Sequence, residues 1–182
     1  MRVCVSWVCG AMALLLGAVS LKAEPSPWVL GAPQRVVASS GVFETLMPGG
    51  SYEIGAEIQF APRRLQFLPG FVPEIIPAAG VIAIAEGSFY AYGGFRFEIP
   101  LGERWMLNPN WAAGLYYHRP GGFDLGGPLE LRSGVELAYR LPDSSRLGLC
   151  IYHLSNAGFF DNNPGSESLV LTYSASLRRP RR

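Results

Sequence analysis

Leu129-Glu130-Leu131-Arg132-Ser133-Gly134-Val135-Glu136-Leu137-Ala138-Tyr139-Arg140-Leu141 changes character at every step. Its odd positions are Leu129, Leu131, Ser133, Val135, Leu137, Tyr139 and Leu141, and its even positions are Glu130, Arg132, Gly134, Glu136, Ala138 and Arg140. Successive side chains of a β-strand point to opposite faces, so this stretch predicts a strand with one apolar face and one charged or small face.

The same alternation recurs along the chain. Tyr52 to Phe60 sets Tyr52, Ile54, Ala56, Ile58 and Phe60 against Glu53, Gly55, Glu57 and Gln59. Ser88 to Ile99 sets Phe89, Ala91, Gly93, Phe95, Phe97 and Ile99 against Ser88, Tyr90, Tyr92, Gly94, Arg96 and Glu98. Trp105 to Tyr117 has Trp105, Leu107, Trp111, Ala113, Leu115 and Tyr117 on one face and Met106, Asn108, Asn110, Gly114 and Tyr116 on the other. Turn formers separate the runs: Pro48-Gly49-Gly50, Pro100-Leu101-Gly102, Pro120-Gly121-Gly122, Pro142-Asp143-Ser144-Ser145 and Asn162-Asn163-Pro164-Gly165. About eight strands are expected, near residues 33–46, 51–63, 72–86, 88–99, 104–117, 128–141, 146–155 and 167–178. The proline-rich stretch 61–77 is expected to be an irregular connection.

The chain has 182 residues, enough for one domain, with 49% hydrophobic and only 16% charged types. Its single long apolar run, Val3 to Leu21, follows Arg2, and Ala18-Val19-Ser20 and Leu21-Lys22-Ala23 are candidate small-residue cleavage sites. Residues 1–23 therefore read as a cleaved secretory signal peptide, with residues 24–182 as a single domain; an uncleaved anchor helix is the alternative. Removal of 1–23 takes Arg2 and Lys22 with it, so 13 of the 15 basic residues stay beside all 14 acids, a net charge of −1. That balance gives no electrostatic support for nucleic-acid binding. Cys4 and Cys9 leave with the signal, and Cys150 then has no intramolecular partner and reads as a small packing residue.

Parity alone does not say which face is inside. A soluble lipocalin-like barrel turns its apolar face inward, whereas a transmembrane barrel turns it outward and fills a small lumen with polar side chains. Three features favour an eight-stranded antiparallel transmembrane β-barrel of the outer-membrane type. The polar faces intersperse Glu53, Glu57, Glu98, Glu130 and Glu136 with Arg96, Arg132 and Arg140, which can pair in a narrow lumen. The strands are long enough to cross a tilted bilayer. Trp105, Tyr116, Tyr117, Tyr139 and Tyr152 lie near strand ends, where interfacial aromatic girdles sit.

Three polar residues fall on the wrong face. In 146–155 the apolar parity runs Leu147, Leu149, Ile151 and then continues into His153 and Ser155. In the last strand it runs Leu169, Leu171, Tyr173, Ala175 and Leu177, and one step earlier it reaches Glu167. All three flank the connection from Asn156 to Ser166. An ionisable group on a barrel's lipid face costs roughly 2–4 kcal/mol at the midplane and less near the interface, so such residues are candidates for function. His153 and Ser155 share a face with their bases about 7 Å apart, and Glu167 on the neighbouring strand can reach the other imidazole nitrogen. That is a Ser–His–acid arrangement recognised by geometry. Interfacial solvation of three polar residues at strand ends is the plainer account.

The residues also carry a resemblance. Tyr152-His153-Leu154-Ser155-Asn156-Ala157-Gly158, followed by Asn162-Asn163-Pro164-Gly165-Ser166-Glu167, resembles the hallmark of the PagL-type lipid A 3-O-deacylases, His-x-Ser-Asn-Ala-Gly and then Asn-x-Gly-x-Glu. Tyr92 to Arg96, Gly114 to His118 and Leu131 to Leu137 look like the same family, while the first 75 or so residues match loosely. The resemblance implies an eight-stranded outer-membrane barrel with its triad on the outer surface: Ser155 as nucleophile, His153 as general base and Glu167 as its orienting partner. It further implies an oxyanion hole of the Asn163 side chain and the Gly158 amide, supported by Asn156. The implied partner is lipid A (lipopolysaccharide) in the outer leaflet of a Gram-negative outer membrane, with the protein a monomer or homodimer. No cofactor is implied and no metal site is evident: Asp161 and Glu167 are too few for calcium, which takes six to eight oxygens. His118 reads as a solvated loop residue.

Two departures stand out. The chain ends in the short basic tail 178–182, Arg178-Arg179-Pro180-Arg181-Arg182, instead of on an aromatic residue. All basic residues after position 23 are arginine, which suits phosphate recognition and makes Arg35 and Arg119 candidates to meet lipid phosphates; genome composition accounts for the bias equally well. A non-catalytic structural or adhesion barrel and a lipid acyltransferase are the rival functions.

Overall fold

Each predicted run becomes a strand in the computed structural model, which describes residues 31–46, 49–64 and 74–177. The strands are β1 (Pro33–Phe43), β2 (Ser51–Phe60), β3 (Glu74–Ile84), β4 (Phe89–Leu101), β5 (Trp105–Tyr117), β6 (Leu129–Arg140), β7 (Arg146–Ser155) and β8 (Ser166–Ser176). Each pairs antiparallel with its sequence neighbour, and β1 pairs with β8, with Arg35 opposite Ser176 and Phe43 opposite Ser168. The sheet is therefore a closed eight-stranded barrel without free edges. The expected signal peptide and the basic tail lie outside the described residues.

The described ends of the proline-rich stretch 61–77, residues 61–64 and 74–77, are more regular than expected. Arg63 and Arg64 pair with Ile75 and Glu74, and Pro77 lies inside β3. The β2–β3 ladder stops at Gln59–Ala78 and resumes at Arg63–Ile75, so Pro77 stands in the gap, where its missing N–H breaks nothing.

The charged parity faces the lumen. Glu53, Glu57, Arg96, Glu130, Arg132 and Glu136 are buried, while Ile54, Leu115, Leu137, Leu149, Ile151 and Leu171 are exposed on the outer wall. A surface this apolar belongs against lipid. Midway down the lumen Arg96 takes Glu57 in a two-pronged pair, Nε to Oε1 at 2.7 Å and an amino group to Oε2 at 3.0 Å, and donates to Glu136 Oε2 at 3.0 Å. Tyr92, Gln59 and Asn108 add hydrogen bonds to these carboxylates, as does Thr172. The Arg132 guanidinium lies over the rings of Tyr152 and Tyr92, at 4.1 and 5.1 Å. Arg96, Glu57 and Glu136 are tolerable out of water because they satisfy one another; the buried Glu130 carboxyl accepts no hydrogen bond from the described residues.

The aromatic girdle is smaller than the sequence implied. Tyr116 and Tyr152 point inward and are buried; the Tyr116 hydroxyl donates to Phe123 O, and the Tyr152 hydroxyl donates to Glu53. Parity decides this, since both are even-numbered within strands whose odd residues face out. Outer rings pair at both ends, Phe89 stacked on Tyr117 at one and Trp105 against Tyr139 at the other, each pair 5.0 Å between centroids. Twelve residue steps separate Tyr117 from Trp105, about 40 Å of strand, or roughly 28 Å of height at a tilt of ~45°. That height matches a hydrocarbon layer.

At the Phe89–Tyr117 end, apolar side chains close the barrel. Phe43, Ile82, Ile84, Tyr90, Tyr116, Leu154 and Val170 pack there with Leu125, which enters from the β5–β6 connection. Leu125 is 1% exposed, so this loop stoppers the mouth.

Candidate active site

The β7–β8 hairpin carries the site. In register, His153 sits opposite Glu167 on β8 and opposite Ser133 on β6, while Ser155 sits opposite Leu131. His153, Ser155 and Glu167 all lie on the outer parity, half-buried among the exposed Ile151 and Leu169 and the half-buried Leu131. His153 Nδ1 is 3.1 Å from Glu167 Oε1. A carboxylate at that nitrogen keeps the proton on Nδ1 and leaves Nε2 as the free lone pair. Ser155 projects from the same face two residues on. Its hydrogen bond to the imidazole is not formed in this structure; such bonds tighten when substrate seats.

The loop from Asn156 to Gly165 is organised by one buried side chain. Asn156 Nδ2 donates to Leu125 O at 3.0 Å and to Asn162 O at 2.8 Å, and Asn156 Oδ1 accepts from the Gly158 amide at 3.0 Å. Its own backbone amide donates to Asn163 Oδ1 at 3.0 Å. With Oδ1 occupied, the free end of the exposed Asn163 side chain is its NH2 donor. The Gly158 amide, expected as a second oxyanion donor, donates to Asn156 Oδ1 in this structure. Ala157 and Gly158 both take left-handed backbone, with φ of 52° and 81°. That tight turn lifts the Gly158 amide back toward Asn156.

Beside Glu167, the turn after β1 contributes Glu44, which is buried. Burial pushes its carboxyl above the ordinary value, and the charge of Glu167 pushes the same way. A carboxyl held toward its neutral form avoids a second charge on this rim.

The stopper loop is the part that sequence reasoning missed. Gly126 and Gly127 lie directly beneath the hairpin loop. A Cβ at Gly126 would fall 1.9 Å from Asn162 O, and one at Gly127 would fall 2.1 Å from the Phe160 ring. Two adjacent glycines after a lone leucine in a polar loop were the available signal. Gly126→Ala is expected to displace the Asn156–Asn163 segment and lower turnover at least about tenfold, since ångström-scale misplacement costs that much or more. Unchanged gel mobility of the folded barrel, beside the reduced initial rate, checks it.

Of the arginines considered for phosphates, Arg35 lies at the opposite end, donating twice to Ser144 O at 3.1 Å. Arg119 is at the site's end and donates to Glu86 O at 2.6 Å. His118 is not simply solvated: its Nε2 is 3.1 Å from Gly122 O. Cys150 is free and buried.

A closed barrel with an apolar outer wall and a paired, charged lumen defines the class as a small transmembrane β-barrel. Within that class the chain belongs to the lipid A 3-O-deacylase (PagL) family, whose model matches residues 81–176. The crystal structure of the outer membrane enzyme PagL superposes with a TM-score of 0.60 at 19% identity, covering 81% of this chain and 99% of that one. A chain from a de novo design of transmembrane β-barrels aligns at a TM-score of 0.47 and 12% identity, covering 82% of this chain and 100% of the design. No curated protein matches the chain.

Proposed function

We propose that the protein is an outer-membrane serine esterase that removes the 3-position acyl chain of lipid A. Ser155 is the nucleophile, His153 the base and Glu167 the residue that orients it. The observation that carries this reading is the His153–Glu167 hydrogen bond on the lipid-facing wall, beside an outward serine. A lipid dissolved in the leaflet meets only groups on that wall, and ionisable residues placed there are candidates for function.

The chemistry follows. His153 Nε2 takes the proton as Ser155 Oγ attacks the ester carbonyl, and Glu167 steadies the imidazolium through Nδ1. The Asn163 NH2 and the Gly158 amide receive the negative charge on the carbonyl oxygen. Collapse expels the sugar hydroxyl, which takes the proton back from His153. Water, deprotonated by the same imidazole, then releases the fatty acid and restores Ser155.

The end that carries the site, with the connections 118–128 and 156–165, faces the exterior, and the end that carries the turns at 102–104 and 141–145 faces the periplasm. Export uses the segment 1–23, cleaved near Ala23. Mass spectrometry of lipid A from cells producing the wild type and Ser155→Ala tests the function. Loss of one 3-linked acyl chain is expected with the wild type and none with the variant. Unchanged lipid A with the wild type sinks the deacylase reading, and a gained chain indicates transfer.

A further inference from the structure

We infer that Gly165 is a positioning residue for His153, holding the ring against Glu167 by having no side chain. The inference rests on the triad proposed above. Beyond its covalent bond to Cβ the imidazole is held by Glu167 at one atom, Nδ1, and its far edge can still tilt. The ring's Cε1 edge is where the second constraint lies. A Cβ at Gly165 would fall 2.7 Å from His153 Cε1 and 3.3 Å from Nε2. Carbon atoms in contact sit about 3.5–4.0 Å apart, so the space a methyl would need is already filled by the ring. The same Cβ would lie 3.4 Å from Leu154 O, on the backbone of β7 itself. The backbone of Gly165 thus forms a floor that the ring edge lies on, one residue before β8 begins and two before Glu167.

The backbone angle fits the same role. Gly165 has φ of +71°, a left-handed conformation that turns the chain out of the loop and into β8. A residue with a Cβ would pay strain there as well as collide with the ring. Strain and collision are separable, because Gly102, in the β4–β5 turn at the far end of the barrel, has φ of +90° and open space where a Cβ would go.

Gly165→Ala, Gly102→Ala and Ser155→Ala are compared as purified protein in detergent–lipid A mixed micelles. Ser155 phosphonylation by a fluorophosphonate, in which Oγ displaces fluoride from phosphorus, is also measured in the wild-type and His153→Ala backgrounds. Gly165→Ala is expected to lower kcat at least about tenfold with KM within about twofold, because the group displaced acts in chemistry and not in binding. Gly102→Ala carries the strain alone and is expected to match the wild type. In the His153→Ala background the Gly165 substitution is expected to leave the labelling rate unchanged, since a residue that acts through the imidazole has nothing left to position. Equal kcat for Gly165→Ala and Gly102→Ala overturns the inference. So does an undiminished loss in the His153→Ala background, which would mark a purely structural role. Full activity of Ser155→Ala fails the triad reading instead, whatever Gly165→Ala does.

Discussion

His153→Ala is expected to lower lipid A deacylation by about 10⁴-fold or more, and the double variant Ser155→Ala/His153→Ala by no more than either single change. In the proposed triad the two groups perform one operation. Without the base, Ser155 Oγ keeps its proton and is a poor nucleophile; without the nucleophile, the base has no alcohol to activate. Their effects therefore do not add. Glu167→Gln is expected to cost less than either, because the amide still reaches Nδ1 but offers no negative charge to the imidazolium. Initial rates of fatty-acid release, measured for the wild type and the four variants at one micellar lipid A fraction, check the pattern. If the losses multiplied, the residues would be acting independently, and the catalytic unit read from the His153–Glu167 bond would be wrong.

Arg96→Met is expected to destabilise the barrel by about 3–5 kcal/mol, the usual cost of stranding a buried partner. Two carboxylates are stranded here, Glu57 and Glu136, both buried in the lumen wall and both bonded to Arg96. Arg132 lies 3.9 Å from Glu57 and does not replace the lost two-pronged contact. The triple variant Glu57→Gln/Arg96→Met/Glu136→Gln is expected to recover most of the loss, since it removes the charges along with their partner. Urea midpoints of the detergent-solubilised proteins, followed by the mobility of folded and unfolded bands, measure both effects. An unchanged midpoint for Arg96→Met would mean that water enters the lumen freely.

The architecture was legible because period two survives every other pressure on the sequence. Leu129 to Leu141 alternates so regularly that its odd residues face lipid and its even residues face the lumen throughout. β1 was harder: its outward residues are Val36, Ala38, Ser40 and Val42, too mixed to announce a lipid face. The tyrosines show the limit of reading residue type before parity. Tyr116 and Tyr152 resemble girdle residues by name and by place, yet their even positions turn them inward. His153, Ser155 and Glu167 were legible for the converse reason, as polar types on an apolar parity. Leu125, Gly126 and Gly127 were not, because a loop that folds back into a barrel mouth has no period to betray it. The contact between Gly165 and His153 was equally hidden, since it depends on a gap of a few ångströms that no spacing encodes.

Buried side chains, several of them paired charges, occupy the described lumen, while the proposed site lies on the convex outside, so its reactant and products would arrive and leave by lateral diffusion. For a catalyst of that shape the relevant concentration is a mole fraction in the leaflet. Diluting the substrate among inert lipids at constant bulk amount would slow it, and adding more membrane of the same composition would not.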